Sequence, residues 1–107
     1  MYGLIGKITA AEGQRDALIR ILLEGIEHMP GCLSYVVAED PADALAIWVT
    51  EVWDAKESHT ASLSLPSVKQ AISRGRPLIA AIGESIVTTP VGGHGLTPRN
   101  ADPASRP

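Results

Sequence analysis

The fold is decided by residues 32–53, which read CLSYVVAEDPADALAIWVTEVW. Residues 32–39 and 45–53 are rich in β-branched and aromatic side chains, which is typical of β-strands. Residues 40–43 between them predict a turn, because proline presets its own φ angle and aspartate hydrogen-bonds to its local backbone. We therefore expect a β-hairpin whose second strand is the strongest in the chain.

The segments around this hairpin alternate between strand and helix periodicity. Residues 3–9 alternate as a short strand does, and residues 12–28 carry an apolar stripe at helical spacing before a Pro-Gly pair. After the hairpin, Asp54 followed by Glu57 resembles a capping box that starts a helix. The remaining predicted elements are a helix over residues 54–65, a second helical piece over residues 67–76 and a last strand over residues 82–89.

The order of these elements is βαββαβ, with the second helix broken. This order predicts an α+β fold of ferredoxin-like topology, in which a four-stranded antiparallel sheet carries its helices on one face. The strand at residues 45–53 has apolar side chains on both faces, with Trp53 on one and Trp48 on the other. A monomer would expose part of that surface, so we expect a homodimer packed through its sheets.

Length and composition exclude several classes of protein. The chain has 107 residues, enough for one domain, of which 45% are hydrophobic and 20% charged, with a net charge of −3. Its basic side chains are scattered, which argues against a nucleic-acid partner, and no apolar run is long enough to cross a membrane. A single cysteine, Cys32, and the lack of a signal-peptide pattern favour the cytoplasm. We expect one domain over residues 1–89 and a flexible Pro/Gly-rich tail over residues 90–107.

Four short motifs are similar to those of a known family. They are Gly31-Cys32-Leu33-Ser34-Tyr35, Glu51-Val52-Trp53, the segment SLPSV at residues 64–68 and the segment RPL at residues 76–78. In order and spacing, over about residues 2–89, they resemble the antibiotic biosynthesis monooxygenase family. The resemblance implies a dimeric α+β barrel of ferredoxin-like subunits. It also implies one of the family's activities, which include cofactor-independent oxygenation of quinols and anthrones, haem degradation and isomerisation of a phosphorylated sugar.

One motif departs from the pattern of that family. Many relatives carry a histidine in an Ala-His-Leu segment of the second helix, where this chain has Ala61-Ser62-Leu63. His59 lies three residues earlier, about one helical turn away, and can present its imidazole nearby. The only asparagine, Asn100, lies in the tail, which argues against the asparagine-dependent pattern of the haem-degrading members.

Glu51 is the most informative candidate for a catalytic group. It shares a strand face with Trp53 and with aliphatic side chains, and a carboxylate on such a face needs a partner. Two interpretations follow from this position. Glu51 is either a base that takes a phenolic proton or one half of a structural ion pair with Arg74 or Arg76.

Five further side chains are candidates for the same site. His59 is the second candidate base, because imidazole accepts a proton near neutral pH, and its alternative role is that of an exposed helix residue. Trp53 is expected to stack on a flat aromatic substrate and to donate a hydrogen bond from its N–H, or else to pack in the core. Tyr35 and Ser62 are expected to hydrogen-bond to substrate oxygens, and the alternative role of Tyr35 is to pack its ring in the interior. Arg76 is expected to bind an acidic group of the substrate, or else to be a solvated helix end.

These residues support three functional hypotheses. The first is a cofactor-independent monooxygenase of an electron-rich aromatic such as a quinol or anthrone, because the deprotonated substrate can itself pass an electron to O₂. The second is an isomerase or other proton-transfer enzyme acting on a small enolisable carbonyl compound. The third is a non-catalytic dimeric binding module whose interior is filled by side chains. Motifs for nicotinamide, nucleotide and iron–sulfur binding are missing, so we expect no cofactor and no metal.

Overall fold

The computed structural model describes residues 1–26 and 28–96, which form four strands and three helices. The strands are β1 (Tyr2–Ala10), β2 (Cys32–Glu39), β3 (Ala46–Trp53) and β4 (Ile79–Thr88). The helices are α1 (Arg15–Glu24), α2 (Lys56–Ser62) and α3 (Pro66–Gly75), and a 3-10 turn at Arg76–Leu78 joins α3 to β4. Within the described ranges, no helix has both the length and the apolar character that crossing a membrane requires.

The four strands form one antiparallel sheet in the order β2-β3-β1-β4. On one side β3 pairs with β1, so that Trp53 lies opposite Tyr2. On the other side β3 pairs with β2, so that Glu51 lies opposite Tyr35. The strand with the strongest sequence pattern is therefore central. The strand order and the antiparallel pairing confirm the ferredoxin-like α+β fold.

The hydrophobic core lies between α1 and the central strands. Its buried cluster consists of Ala10, Leu18, Ile47 and Val49. A polar contact at the start of α1 holds this helix beside the β2–β3 hairpin. The Arg15 guanidinium donates a hydrogen bond to the carbonyl of Asp43 at 3.0 Å and forms an ion pair with Glu39 at 3.1 Å.

The first helix is shorter than the sequence pattern predicts. It spans Arg15–Glu24 rather than residues 12–28, and left-handed backbone lies beyond each of its ends, at Gly13 (φ 78°) and His28 (φ 56°). Past its last residue, α1 also comes close to α3. A Cβ at Gly25 would lie 2.7 Å from the Cβ of Ala71. The apolar stripe continues past the point where the helix stops. Apolar spacing indicates which face of the chain is covered, but it does not indicate where the helix ends.

The other boundaries follow the pattern more closely. The hairpin strand β2 has the predicted bounds, and Pro66 occupies the first turn of α3, where the helix break is expected. β4 begins at Ile79, three residues before the predicted start, because the end of β1 extends its pairing to that residue. Residues 90–96 contain neither helix nor strand, while residues 97–107, including Asn100, lie outside the described residues. The flexible tail over residues 90–107 stays a prediction.

We expect Leu18→Ala to lower the free energy of unfolding by about 2–5 kcal/mol, because it removes a fully buried side chain from the core. Leu23→Ala is the matched control on the same helix, since Leu23 is 48% exposed, and it is expected to cost about 1 kcal/mol or less. Urea unfolding at one fixed protein concentration measures both values. Equal losses in the two variants would contradict the assignment of the buried face of α1.

Candidate active site

Strand β3 and helix α2 bring the two candidate bases together. Side chains alternate along a strand, so Glu51 and Trp53 share the face of β3 that carries the core residues Ile47 and Val49. α2 begins shortly after β3 ends, and it brings His59 against the end of that strand. Residues that are eight positions apart in the chain thus meet at one corner of the sheet.

Glu51, Trp53 and His59 form a contiguous cluster. Trp53 Nε1 donates a hydrogen bond to Glu51 Oε1 at 3.0 Å, and His59 Nε2 lies 4.0 Å from the same oxygen. The imidazole packs edge-on against the indole, with ring centroids 5.4 Å apart, and it also contacts the ring of Tyr2 at 5.8 Å. The side chains of Glu51 and His59 are 17% and 24% exposed, so both are partly withdrawn from water. Once protonated, His59 forms an ion pair with Glu51.

The partners of Glu51 and Trp53 differ from those expected from the sequence. Arg74 does not reach Glu51 but forms an exposed ion pair with Glu24 at 2.9 Å. Within residues 1–26 and 28–96, Arg76 also makes no salt bridge. The Trp53 N–H is engaged by Glu51, so it is not free to donate to a substrate as predicted. The indole contributes its ring to the site instead.

Ser62 is buried, with a relative exposure of 4%. Its hydroxyl donates a hydrogen bond to the carbonyl of His59 at 2.6 Å. The Ser62 hydroxyl proton is therefore engaged in a hydrogen bond within α2, and it is not free to donate to a substrate oxygen as the sequence predicts. Ser62 lines the cavity described below and can still accept a hydrogen bond there.

Tyr35 lies opposite Glu51 and keeps its proton. Burial, and then the negative charge of Glu51, raise the pKa of the Tyr35 phenol, which remains a neutral hydrogen-bond donor. The same two causes, in the same order, raise the pKa of the Cys32 thiol, which remains protonated at neutral pH. The described residues contain no group of three or more His, Cys, Asp and Glu side chains arranged to bind a metal ion.

A cavity of about 450 Å³ opens beside this cluster. Small-molecule sites typically have volumes of roughly 300–1,000 Å³ and mostly apolar walls, as this one does. All six candidate residues line it, namely Tyr35, Glu51, Trp53, His59, Ser62 and Arg76. A binding module with a filled interior, the third hypothesis, does not predict such a space.

The apolar wall of the cavity includes residues that are not among the six candidates. These are Leu22, Ile26 and Met29 from the α1 stripe and the segment after it, together with Leu63, Val68 and Ile72 from the α2–α3 region. Helical spacing identifies such side chains as facing inward. It does not distinguish a face that packs against side chains from one that faces a cavity.

The loop that enters β2 positions α2. Gly31 has left-handed backbone (φ 84°), and its carbonyl accepts a hydrogen bond from the N–H of Asp54 at 2.9 Å. A Cβ at Gly31 would lie 2.6 Å from Asp54 Oδ1 and 2.6 Å from Ser58 Oγ. Only glycine fits both the backbone conformation and the space. Because Ser58 precedes His59, this contact helps to set the position of the imidazole.

Comparison with known proteins identifies the family. The family described as antibiotic biosynthesis monooxygenase matches residues 1–74. The chain belongs to that family. Its structure is similar to that of a candidate antibiotic biosynthesis monooxygenase from Chloroflexus aurantiacus J-10-fl, with 70% identity, coverage of 90% of this chain and 98% of that chain, and a TM-score of 0.88. A second candidate member, from Deinococcus radiodurans, is 25% identical, with coverage of 87% and 95% and a TM-score of 0.72. No curated protein matches the chain.

Membership of the antibiotic biosynthesis monooxygenase family confirms the resemblance carried by the motifs. The motifs at residues 31–35 and 51–53 supply Tyr35, Glu51 and Trp53 to the cavity. The imidazole at the cavity of this member comes from His59, three residues before Ser62.

We expect Gly31→Ala to lower the free energy of unfolding by about 1–3 kcal/mol more than Gly13→Ala does, because its methyl group would overlap Asp54 and Ser58. Gly13→Ala is the matched control: it has a similar φ of 78° with nothing within 4 Å of the new methyl group, so it costs only the backbone strain of about 1–2 kcal/mol. Chemical denaturation compares the two variants. A Gly31→Ala protein as stable as the control would show that α2 does not depend on this contact.

Proposed function

We propose that this member of the antibiotic biosynthesis monooxygenase family is a cofactor-independent monooxygenase that oxidises an electron-rich aromatic, such as a quinol or an anthrone, with O₂. The observation that supports the proposal is the His59–Glu51 pair in the wall of an otherwise mostly apolar cavity. Such a cavity suits a flat aromatic compound, and the pair offers a base for its hydroxyl group. The proposed compartment is the cytoplasm, where the lone Cys32 thiol stays reduced.

The first step of the proposed reaction is removal of a phenolic or enolic proton by His59. The imidazolium that forms is 4.0 Å from Glu51 Oε1, and this short distance in a partly desolvated site stabilises it. The hydrogen bond from Trp53 keeps the carboxylate in place throughout. Glu51 thus stabilises the protonated base, and His59 itself takes the proton.

The second step is electron transfer from the substrate anion to O₂, followed by formation of a carbon–oxygen bond. For an anthrone, the CH₂ carbon becomes a carbonyl, one oxygen atom enters the product, and the other leaves as water with the two hydrogens of that carbon. The substrate supplies all four electrons that O₂ accepts. The reaction therefore needs no external reductant, and the protein supplies the base, orientation and a mostly apolar site.

Binding and orientation fall to the remaining residues of the cavity. The indole of Trp53 and the aliphatic wall contact the ring system, and the protonated Tyr35 phenol can donate a hydrogen bond to a substrate oxygen. An oxygen that carries negative charge after deprotonation is the better acceptor for that bond. Tyr35 therefore favours the anion that reacts with O₂.

Oxygen uptake by metal-stripped protein, measured with a panel of hydroquinones and anthrones, tests this proposal. We expect uptake above substrate autoxidation that survives chelators and falls about 10²–10⁴-fold in His59→Ala, the usual contribution of a general base. Glu51→Gln should lower the rate less, by about tenfold, because it removes only the charge beside the imidazolium. His94→Ala, at an exposed histidine outside the cavity, should leave the rate unchanged.

Each other outcome has a distinct meaning. Uptake that is unaffected in His59→Ala would contradict the role of His59 and assign the proton to Glu51 or to spontaneous ionisation of the substrate. Turnover of an enolisable carbonyl compound under anaerobic conditions, without uptake on any aromatic, would favour the isomerase. Binding of aromatics with no turnover of either kind would favour a non-catalytic protein that binds small molecules in this cavity.

We also propose that the protein is a homodimer formed through the outer face of the sheet. Val36 on β2 and Ile86 on β4 share this face with Trp48 and are 52% and 46% exposed. The indole of Trp48 donates a hydrogen bond to Asp40 at 3.0 Å and lies under the ammonium group of Lys7, 5.7 Å from its ring centroid. A face that mixes exposed aliphatic side chains with a fixed tryptophan is suited to a protein interface.

We expect sedimentation velocity at micromolar concentration to give a dimer, and Val36→Glu to weaken its association by at least about tenfold, because the variant buries an unpaired charge at the interface. Leu23→Glu is the control: it introduces the same charge at a similarly exposed aliphatic position on α1, away from the sheet. A monomeric unmodified protein, or equal weakening by both variants, would contradict association through the sheet.

A further inference from the structure

We infer that the cavity selects an aromatic substrate that carries a carboxylate, and that Arg76 at the cavity rim binds this carboxylate. The inference rests on the proposed function, because it narrows the class of aromatic that the cavity accepts. It assigns to Arg76 a role in specificity and orientation, separate from the proton transfer at His59.

The backbone around Arg76 is held firmly at the edge of the cavity. The N–H of Arg76 donates a hydrogen bond to the carbonyl of Ile72 at the end of α3, and the next residue, Pro77, has its φ angle fixed by its ring. The preceding residue, Gly75, is buried, and a Cβ there would lie 3.2 Å from Leu18 Cδ1. Arg76 itself is exposed and lines the cavity, which places it at the rim.

Within residues 1–26 and 28–96, the charge of Arg76 has no partner that would compete with a ligand. The neighbouring Arg74 is neutralised by its ion pair with Glu24 at 2.9 Å, outside the cavity. Among the described residues, no carboxylate lies within salt-bridge distance of Arg76. A guanidinium can bind a carboxylate through two parallel hydrogen bonds, which fixes the direction of the ligand as well as its position.

The charges along the cavity wall have opposite signs at different depths. Glu51, with a side chain that is mostly buried, carries the negative charge, and the exposed Arg76 carries the positive charge. A substrate carboxylate is attracted by Arg76 at the rim and repelled by Glu51, and the repulsion is strengthened because Glu51 is mostly withdrawn from water. Binding with the carboxylate at the rim directs the opposite end of the aromatic, and its hydroxyl group, toward His59.

Isothermal titration calorimetry with two anthraquinones tests the inference without any oxidation. We expect anthraquinone-2-carboxylate to bind about tenfold more tightly than the uncharged anthraquinone-2-carboxamide, a typical effect of one charge-assisted pair. Arg76→Gln should abolish that preference by lowering the affinity for the carboxylate, while Arg76→Lys should retain part of the preference. Arg74→Gln is the matched control, since it removes a neighbouring arginine outside the cavity, and it should leave both affinities unchanged.

Equal affinities for the two ligands in the unmodified protein would overturn the inference, as would a preference that survives Arg76→Gln. Failure of both ligands to bind would also overturn it, since the cavity would then not accept an anionic aromatic. Oxygen uptake tests the proposed function separately. A preference for the carboxylate without oxygen uptake would support the role of Arg76 and contradict the proposed oxygenase. Oxygen uptake without that preference would support the oxygenase and contradict the role of Arg76.

Discussion

Strand β3 supplies both the core and the candidate site, because alternate side chains of a strand point to the same face. Ile47 and Val49 belong to the buried core, and Glu51 and Trp53 continue the same row into the cavity. A shift of register by one residue would replace this row with the one that carries Trp48. Pairing of β3 with strands on both sides prevents that shift. The positions of the core and of the site therefore depend on the pairing of β3 with β1 and β2.

The hydrogen bond from Trp53 makes a carboxylate compatible with its apolar surroundings. An unpaired carboxylate at this depth would be costly, but the indole N–H satisfies one oxygen of Glu51 and fixes its direction. His59 packs against the same indole, close enough to Glu51 to form an ion pair when it becomes protonated. His59 can therefore hold a proton taken from a bound molecule, because Glu51 supplies the countercharge to the imidazolium.

The cavity exists because the helices approach each other closely in one region while their other side chains stop short of filling the interior. The two helical segments come together where Gly25 lies against the side chain of Ala71 and where Gly75 lies against the side chain of Leu18. The chain contains no phenylalanine, and the wall is built mainly from aliphatic side chains that line the space rather than fill it. Polar groups are confined to a few positions, which lets each of them control the orientation of a ligand.

The sequence by itself determined the order of the elements, the β2–β3 hairpin, the helix break at Pro66 and six of the residues that line the cavity. These features follow from local periodicity, turn chemistry and motif spacing. Only the tertiary structure decided where α1 and β4 end and which group each polar side chain contacts: His59 rather than an arginine lies beside Glu51, and the Ser62 hydroxyl binds the His59 carbonyl. The physical reason is that such contacts depend on how β3, α2 and α3 are placed relative to one another, and the period of a single element carries no information about that placement.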